Sequence, residues 1–137
     1  MRENEFGMYR ALPGVSYDDA VQRVEAALQE EGFGILTRID VRETLKKKID
    51  VDFRPYVILG ACNPPLAHKA LSNRPDAGLM LPCNVIVEAL EDGGTLVRIV
   101  DPAAMMQAGG LAGDPAMEEV GGEARARLQR VASALAD

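Results

Sequence analysis

Two short motifs, each a cysteine followed by an asparagine, constrain this sequence most strongly. Cys62-Asn63 follows the apolar run Tyr56–Leu59, and Cys83-Asn84 stands at the start of a second strand-like run. These are the two cysteines of the chain, and its single histidine, His68, lies between them. We therefore predict that the segment Phe53–Val87 forms the core of the domain and contains its best candidate site.

Length and composition are typical of one soluble domain. The chain has 137 residues, of which 47% are hydrophobic and 26% are charged, so a single domain spanning residues 1–137 has enough apolar side chains for a core. The net charge of −6 and an aromatic content of 4% without tryptophan argue against nucleic acid and against an anionic membrane surface as partners.

Two further features bear on the location of the protein. No apolar run approaches the roughly 20 residues that a membrane-spanning helix needs. The residues Met1–Glu5 lack the apolar region of a signal peptide. We therefore predict a cytoplasmic protein, in which a structural disulfide between Cys62 and Cys83 is not expected.

Hydrophobic periodicity predicts the element order β-α-β-α-β-α-β-β-α. The helices are predicted to begin after the capping residues Ser16, Asp40, Asn63 and Asp114. The predicted strands are Met8–Leu12, Phe33–Asp40, Phe53–Ala61, Cys83–Leu90 and Thr95–Val100.

The connections between these elements indicate the fold class. Glu91–Gly94 separates the last two strands and is typical of a β-hairpin turn. The earlier strands alternate with helices, which favours crossover connections. The sequence therefore predicts an α+β fold of one domain, in which helices pack on a mixed sheet of about five strands.

The segment between the hairpin and the last helix carries no clear periodicity. Ala103–Gly113 is rich in small residues and is predicted to be irregular. Met105-Met106 within it are either a soft ligand pair or side chains that fill a gap in the core. Gly121-Gly122 is predicted to weaken or kink the last helix.

The position of Cys62 between a strand and a helix favours thiol chemistry. Free backbone N–H groups at a helix start stabilise a thiolate and lower its pKa. His68 shares a helix face with Pro64, and its side chain is able to lean back toward Cys62. If the strand that begins at Cys83 pairs beside Tyr56–Ala61, both sulfurs approach each other at one edge of the sheet.

Several interpretations of these residues stay open at this point. Both cysteines are explained as small buried hydrophobic residues, with Asn63 as a helix cap and Asn84 as a turn or edge residue. Alternatively, Cys62, Cys83 and His68 form a metal site for zinc or copper(I). The spacing fits no standard zinc pattern, and copper(I) tolerates three soft ligands better.

Two further interpretations of these residues are chemical functions. Cys62 acts as a redox partner of Cys83, or as a nucleophile with His68 as its base. Otherwise the start of the Pro64 helix forms an anion or small-ligand pocket, with Asn63 and backbone N–H groups as donors.

The motifs around the cysteines resemble the DUF302 family of small bacterial and archaeal α+β proteins. The resemblance extends over roughly residues 10 to 135. It is carried by Leu59–Ala67, Gly78–Val87, Asp40-Val41, Lys47, Arg54-Pro55-Tyr56 and Asp101-Pro102. It implies a compact single-domain fold that forms a homodimer, and it supplies no catalytic residues.

Taken together, the residues and the resemblance predict a small binding or accessory protein. Its small-ligand or metal pocket is predicted at Cys62, Asn63, His68, Cys83 and Asn84, with zinc or copper as the metal. The alternative function is a thiol-dependent redox or transfer enzyme that uses Cys62 with His68. The predicted partners are a second copy of the chain and a small molecule.

Overall fold

A computed structural model describes residues 2–111 and 113–135, and Met1, Ala112, Ala136 and Asp137 lie outside the described part. The strands are β1 (Arg2–Glu3), β2 (Gly7–Leu12), β3 (Gly34–Asp40), β4 (Tyr56–Cys62), β5 (Cys83–Ala89) and β6 (Thr95–Val100). The helices are α1 (Tyr17–Glu30), α2 (Val41–Ile49), α3 (Pro64–Asn73), α4 (Pro102–Ala108) and α5 (Pro115–Ala134), and a 3-10 helix spans Pro75–Met80.

All neighbouring strands pair antiparallel, in the order β1-β2-β6-β5-β4-β3. The predicted α+β class, with helices packed on one sheet, is confirmed. The sheet has six strands where about five were predicted, and it is antiparallel throughout, so the prediction of a mixed sheet is wrong. The helical connections through α2 and α3 return the chain to the adjacent strand in the opposite direction. Neighbouring parallel strands require a long connection, but neighbouring antiparallel strands are also able to be joined by one. Helices between the strands therefore do not indicate the direction of pairing.

The segment after β6 is more regular than predicted. Pro102–Ala108 forms α4, although Ala103–Gly113 was expected to be irregular; Ala112 lies outside the described residues. The Asp101 carboxylate caps the helix by accepting from the backbone N–H of Ala103 at 2.9 Å. Pro102 occupies the first turn, where its missing N–H leaves no gap in the hydrogen bonding.

The main core lies between one face of the sheet and the helices α1 and α5. Alternate strand residues point into it, as expected for a half-covered antiparallel sheet. Its fully buried members include Leu59 on β4, Val85 on β5, Val97 on β6, Leu28 on α1 and Leu128 on α5. The opposite face of the sheet, here called the open face, is only partly covered by other elements.

A second, smaller apolar cluster joins α3 and the 3-10 helix to α4 and α5. Its buried members are Ala70, Ala77, Leu111, Met117 and Val120, against which Leu66, Met80 and Met106 pack. This cluster lies beside the end of β4 and the start of β5, where the cysteines lie, and it supplies part of the walls of the candidate site. Among the described helices, none is both long enough and apolar enough to cross a bilayer.

Candidate functional site

The two cysteines lie close together where β4 ends beside the start of β5. Ala61 pairs with Cys83 across the two strands, so Cys62 is one residue away from that pair. Both thiols are free and only partly exposed. The antiparallel register therefore brings together two residues that are 21 positions apart in the sequence.

Both cysteines line one pocket with a volume of about 60 Å³. A water molecule takes up about 30 Å³ in the liquid, and sites for drug-sized ligands occupy about 300–1,000 Å³. In its present shape the pocket therefore admits only a very small ligand. Its apolar walls include Phe33, Leu66, Ala67, Ala70, Leu81 and Val120.

Sulfur is the most distinctive chemical feature of the pocket. Met80, Met105, Met106 and Met117 line it together with the two thiols, which gives six sulfur-bearing side chains. The thioether of Met106 packs on Gly121, with Sδ 2.7 Å from the point where a Cβ would stand on that glycine. Methionine side chains adapt their shape easily, so these walls are deformable.

The surroundings of Cys83 keep its thiol neutral at physiological pH. Burial raises the pKa of Cys83 to about 11, and the nearby Cys62 thiol adds to this by electrostatic repulsion between the two groups. A thiol is a nucleophile only as a thiolate. Cys83 is therefore an apolar lining residue at neutral pH, unless a bound ligand replaces its proton.

Asn63 holds the start of α3 against the rest of the molecule. Its side-chain oxygen accepts from the backbone N–H of Leu66 at 3.2 Å, and its amide nitrogen donates to the carbonyl of Glu31 at 3.4 Å. The side chain is buried, and both of its hydrogen-bonding ends are used. Asn63 is thus a helix cap that also borders the pocket, as predicted by the first of the interpretations above.

The other two predicted site residues lie elsewhere. His68 is exposed, on the side of α3 away from Leu66 and Ala70, and it does not line the pocket of the two cysteines. Asn84 is exposed and lines a separate cleft on the open face of the sheet. Adjacent strand residues point to opposite faces, which separates Asn84 from Cys83.

The predicted metal set of Cys62, Cys83 and His68 is therefore not assembled. Within residues 2–111 and 113–135, no group of three or more His, Cys, Asp or Glu side chains is arranged to hold a metal ion. His68 is exposed and does not line the pocket, so the structure gives no support to its role as a base for Cys62. Sequence reasoning missed Met80 and Met117, because only the folded chain brings them to the cysteines.

Comparison with known proteins agrees with the motif-based resemblance. A family model described as "Domain of unknown function DUF302" matches residues 8–135. The fold is similar to the crystal structure of an uncharacterized conserved DUF302 protein from Bacillus stearothermophilus, with a TM-score of 0.83, 30% sequence identity, and coverage of 96% of this chain and 98% of that chain. Comparison with curated proteins finds no match. The family match over nearly the whole chain and the shared fold show that this protein belongs to the DUF302 family.

Proposed function

We propose that the protein is a binding domain that takes a small, neutral, apolar ligand into the pocket of the two cysteines. The observation that carries this proposal is the nature of the pocket walls: hydrocarbon and sulfur side chains, with a Cys83 thiol that stays protonated at neutral pH. Such a lining repels charged and strongly polar molecules, because they lose their hydration without gaining partners.

The size and the walls of the pocket support a ligand of only a few heavy atoms. A volume of about 60 Å³ suits a molecule of that size without rearrangement. The four methionines have flexible side chains, so they are able to move aside for a somewhat larger apolar group.

Xenon is a suitable probe, because it is small, neutral and polarisable. We expect xenon dissolved in the protein solution to shift the amide NMR signals of residues around Cys83 and Met117. The Ala67→Leu variant adds volume at the pocket wall and should abolish these shifts, whereas Ala26→Leu, on the exposed side of α1, should leave them unchanged. Equal shifts in both variants, or shifts that are absent around the pocket in the wild type, would contradict the proposal.

A second candidate ligand is the copper(I) ion, which the six sulfur side chains favour. Soft thiol and thioether ligands are those that copper(I) prefers. Binding would displace a thiol proton from Cys83, so the affinity for the ion should rise with pH.

Copper(I) binding is tested by competition with a coloured chelator under reducing conditions. If the ion binds in the pocket, Cys83→Ser and Met117→Leu weaken binding, and Met8→Leu does not, because Met8 is equally buried but lies in the main core. An affinity for copper(I) that is unchanged by Cys83→Ser would disprove this second candidate. A thiol-transfer enzyme has less support, since His68 does not line the pocket and burial keeps the Cys83 thiol protonated at neutral pH.

We also propose that the chain forms a homodimer through apolar side chains of β3, of α2 and of Val51 in the loop after α2. Leu36 and Ile49 are 66% and 63% exposed, and Ile39 and Val51 are also exposed. β3 is an edge strand of the sheet, so its backbone is open to pairing with another strand.

Light scattering after size-exclusion chromatography tests the dimer. The wild type should elute with the mass of two chains, and Leu36→Lys should shift it toward one. Leu79→Lys is the matched control, since Leu79 is exposed but lies outside this patch. A wild type with the mass of one chain would disprove the dimer and would leave the pocket proposal untouched.

A further inference from the structure

The open face of the sheet carries a charged and aromatic cluster around one buried carboxylate. Glu88 is 2% exposed and lies on this face near the end of β5. It accepts a hydrogen bond from Arg54 Nε at 2.7 Å, and another from Arg98 Nη1. A buried carboxylate needs such partners, and in turn it holds both guanidinium groups in fixed positions.

The cluster has an excess of positive charge. Two guanidinium groups share one carboxylate, on a chain whose net charge is −6. Aromatic rings lie against both cations: the guanidinium carbon of Arg98 is 5.8 Å from the centre of the Tyr9 ring, and that of Arg54 is 4.5 Å from the centre of the Phe53 ring. These contacts further restrict the orientation of the two arginines.

The two arginines differ in what lies beside them. Arg98 borders a cleft of about 930 Å³ between β2, β5, β6 and α4, whereas Arg54 does not line it. A volume of this size is within the range of small-molecule sites. The side chain of Arg98 is 38% exposed, so its remaining N–H groups are accessible to a ligand in the cleft.

The other walls of the cleft are mainly apolar or aromatic. Phe6 is 73% exposed, and with Tyr9 and Ile86 it offers a broad apolar surface. Asn84 adds an amide next to this surface, and Glu5 is an acidic residue of the lining. The cleft thus combines one oriented cation with aromatic walls, and it is chemically unlike the uncharged pocket of the cysteines.

We propose that this cleft binds a small carboxylate with an aromatic body, and that Arg98 is the residue that anchors the carboxylate. A guanidinium group has five N–H donors, and Glu88 occupies Nη1. The planar donor fork matches a carboxylate, and the association is stronger because the arginine is already held in place. Tyr9 and Phe6 suit a flat apolar body, through edge or offset contacts between rings.

Titration with phenylacetate and with its neutral analogue phenylacetamide, followed by amide NMR, tests this inference. We expect phenylacetate to bind the wild type at least about tenfold more tightly than phenylacetamide, and Arg98→Met to lose at least about tenfold in affinity. Arg54→Met is the matched control, because it removes the other partner of Glu88 outside the cleft, and it should stay within about threefold of the wild type.

A second variant keeps the test decisive if Arg98→Met folds poorly. Phe6 is exposed, so Phe6→Ala should fold normally and still weaken phenylacetate binding by at least about threefold. The inference is overturned by equal affinities for the acid and the amide, by Arg98→Met or Phe6→Ala binding like the wild type, or by inorganic phosphate binding as tightly as phenylacetate. The xenon test remains distinguishable from these results, because Arg98 and Phe6 line the cleft and not the pocket of the two cysteines, although Met105 borders both.

Discussion

At the scale of single residues, the two most informative groups are the partly buried thiol of Cys83 and the buried carboxylate of Glu88, both on β5. The raised pKa of Cys83 is explained by surroundings that disfavour the thiolate. The burial of the Glu88 carboxylate is explained by two arginines that compensate its charge. The partners of Glu88 were not predictable from the sequence, because Arg54 is 34 positions away along the chain.

The raised pKa of Cys83 predicts a loss of stability in alkaline solution. The folded thiol titrates at about 11 and an unperturbed thiol at 9.0, so the folded state keeps a proton that the unfolded state loses. The stabilisation is fully present below pH about 9, and it falls as the pH rises toward about 11, by up to about 2–3 kcal/mol in free energy of unfolding.

Urea unfolding of the wild type and of Cys83→Ala at a series of pH values measures this effect. The stability difference between the two proteins should shrink as the pH rises from about 8 to about 11. Parallel pH profiles for the two proteins would mean that Cys83 ionises as easily in the folded state as in the unfolded state.

Removal of the Glu88 carboxylate should destabilise the fold although its partners are half exposed. Glu88→Ala is expected to lower the free energy of unfolding by about 2–3 kcal/mol, which is less than for a fully buried pair, because water is able to reach both arginines. Glu91→Ala, in the exposed hairpin turn, is the control and should change stability by less than about 0.5 kcal/mol. Similar values for both variants in denaturant unfolding would contradict the role given to Glu88.

At the scale of elements, the starts of the helices were predicted well from the sequence, and the contacts between the helices were not. Ser16, Asp40, Asn63 and Asp114 all cap the helices predicted from them, since a cap depends only on residues three positions away. Asp101 caps α4 and is followed by proline, as Asp114 is at the start of α5, but α4 was overlooked because its short sequence lacks a periodic apolar stripe.

The effect of the glycine pair on α5 is not predictable from the local sequence alone. Gly121-Gly122 was predicted to weaken or kink the helix, yet Pro115–Ala134 is one continuous α-helix. Gly121 is buried and leaves room for the thioether of Met106, whereas a Cβ added to Gly122 meets no described atom within 4 Å. The role of Gly121 thus depends on a contact with another helix.

These two glycines provide a matched pair of variants. Gly122→Ala should stabilise the protein by up to about 1 kcal/mol, because alanine favours the helix and meets open space. Gly121→Ala should gain less, since it displaces Met106, and it should also change the xenon response of the pocket. Thermal unfolding together with xenon NMR measures both effects, and equal stabilisation with an unchanged xenon response in the two variants would contradict this packing.

At the scale of the whole molecule, the sequence predicted the α+β class, five of the strands and the antiparallel hairpin of the last two, but not the directions of the other strands. The antiparallel order of six strands depends on pairings between distant segments, and β1 is too short to show any periodicity. The same limit applied to the site: the approach of the two cysteines depended on an assumed strand pairing, which the structure shows as the pairing of β4 with β5, while the positions of His68, Met80 and Met117 depended on how the helices pack.

The central claim is that Cys62 and Cys83 share one sulfur-lined, uncharged pocket that is open to a small apolar ligand. A crystal of the protein pressurised with xenon tests it most directly, because the anomalous signal of xenon locates the atom without assumptions. We predict a xenon atom in van der Waals contact with Cys83 and with the Met117 thioether. A structure in which those side chains close on each other, and the xenon is absent or bound only elsewhere, would contradict the account.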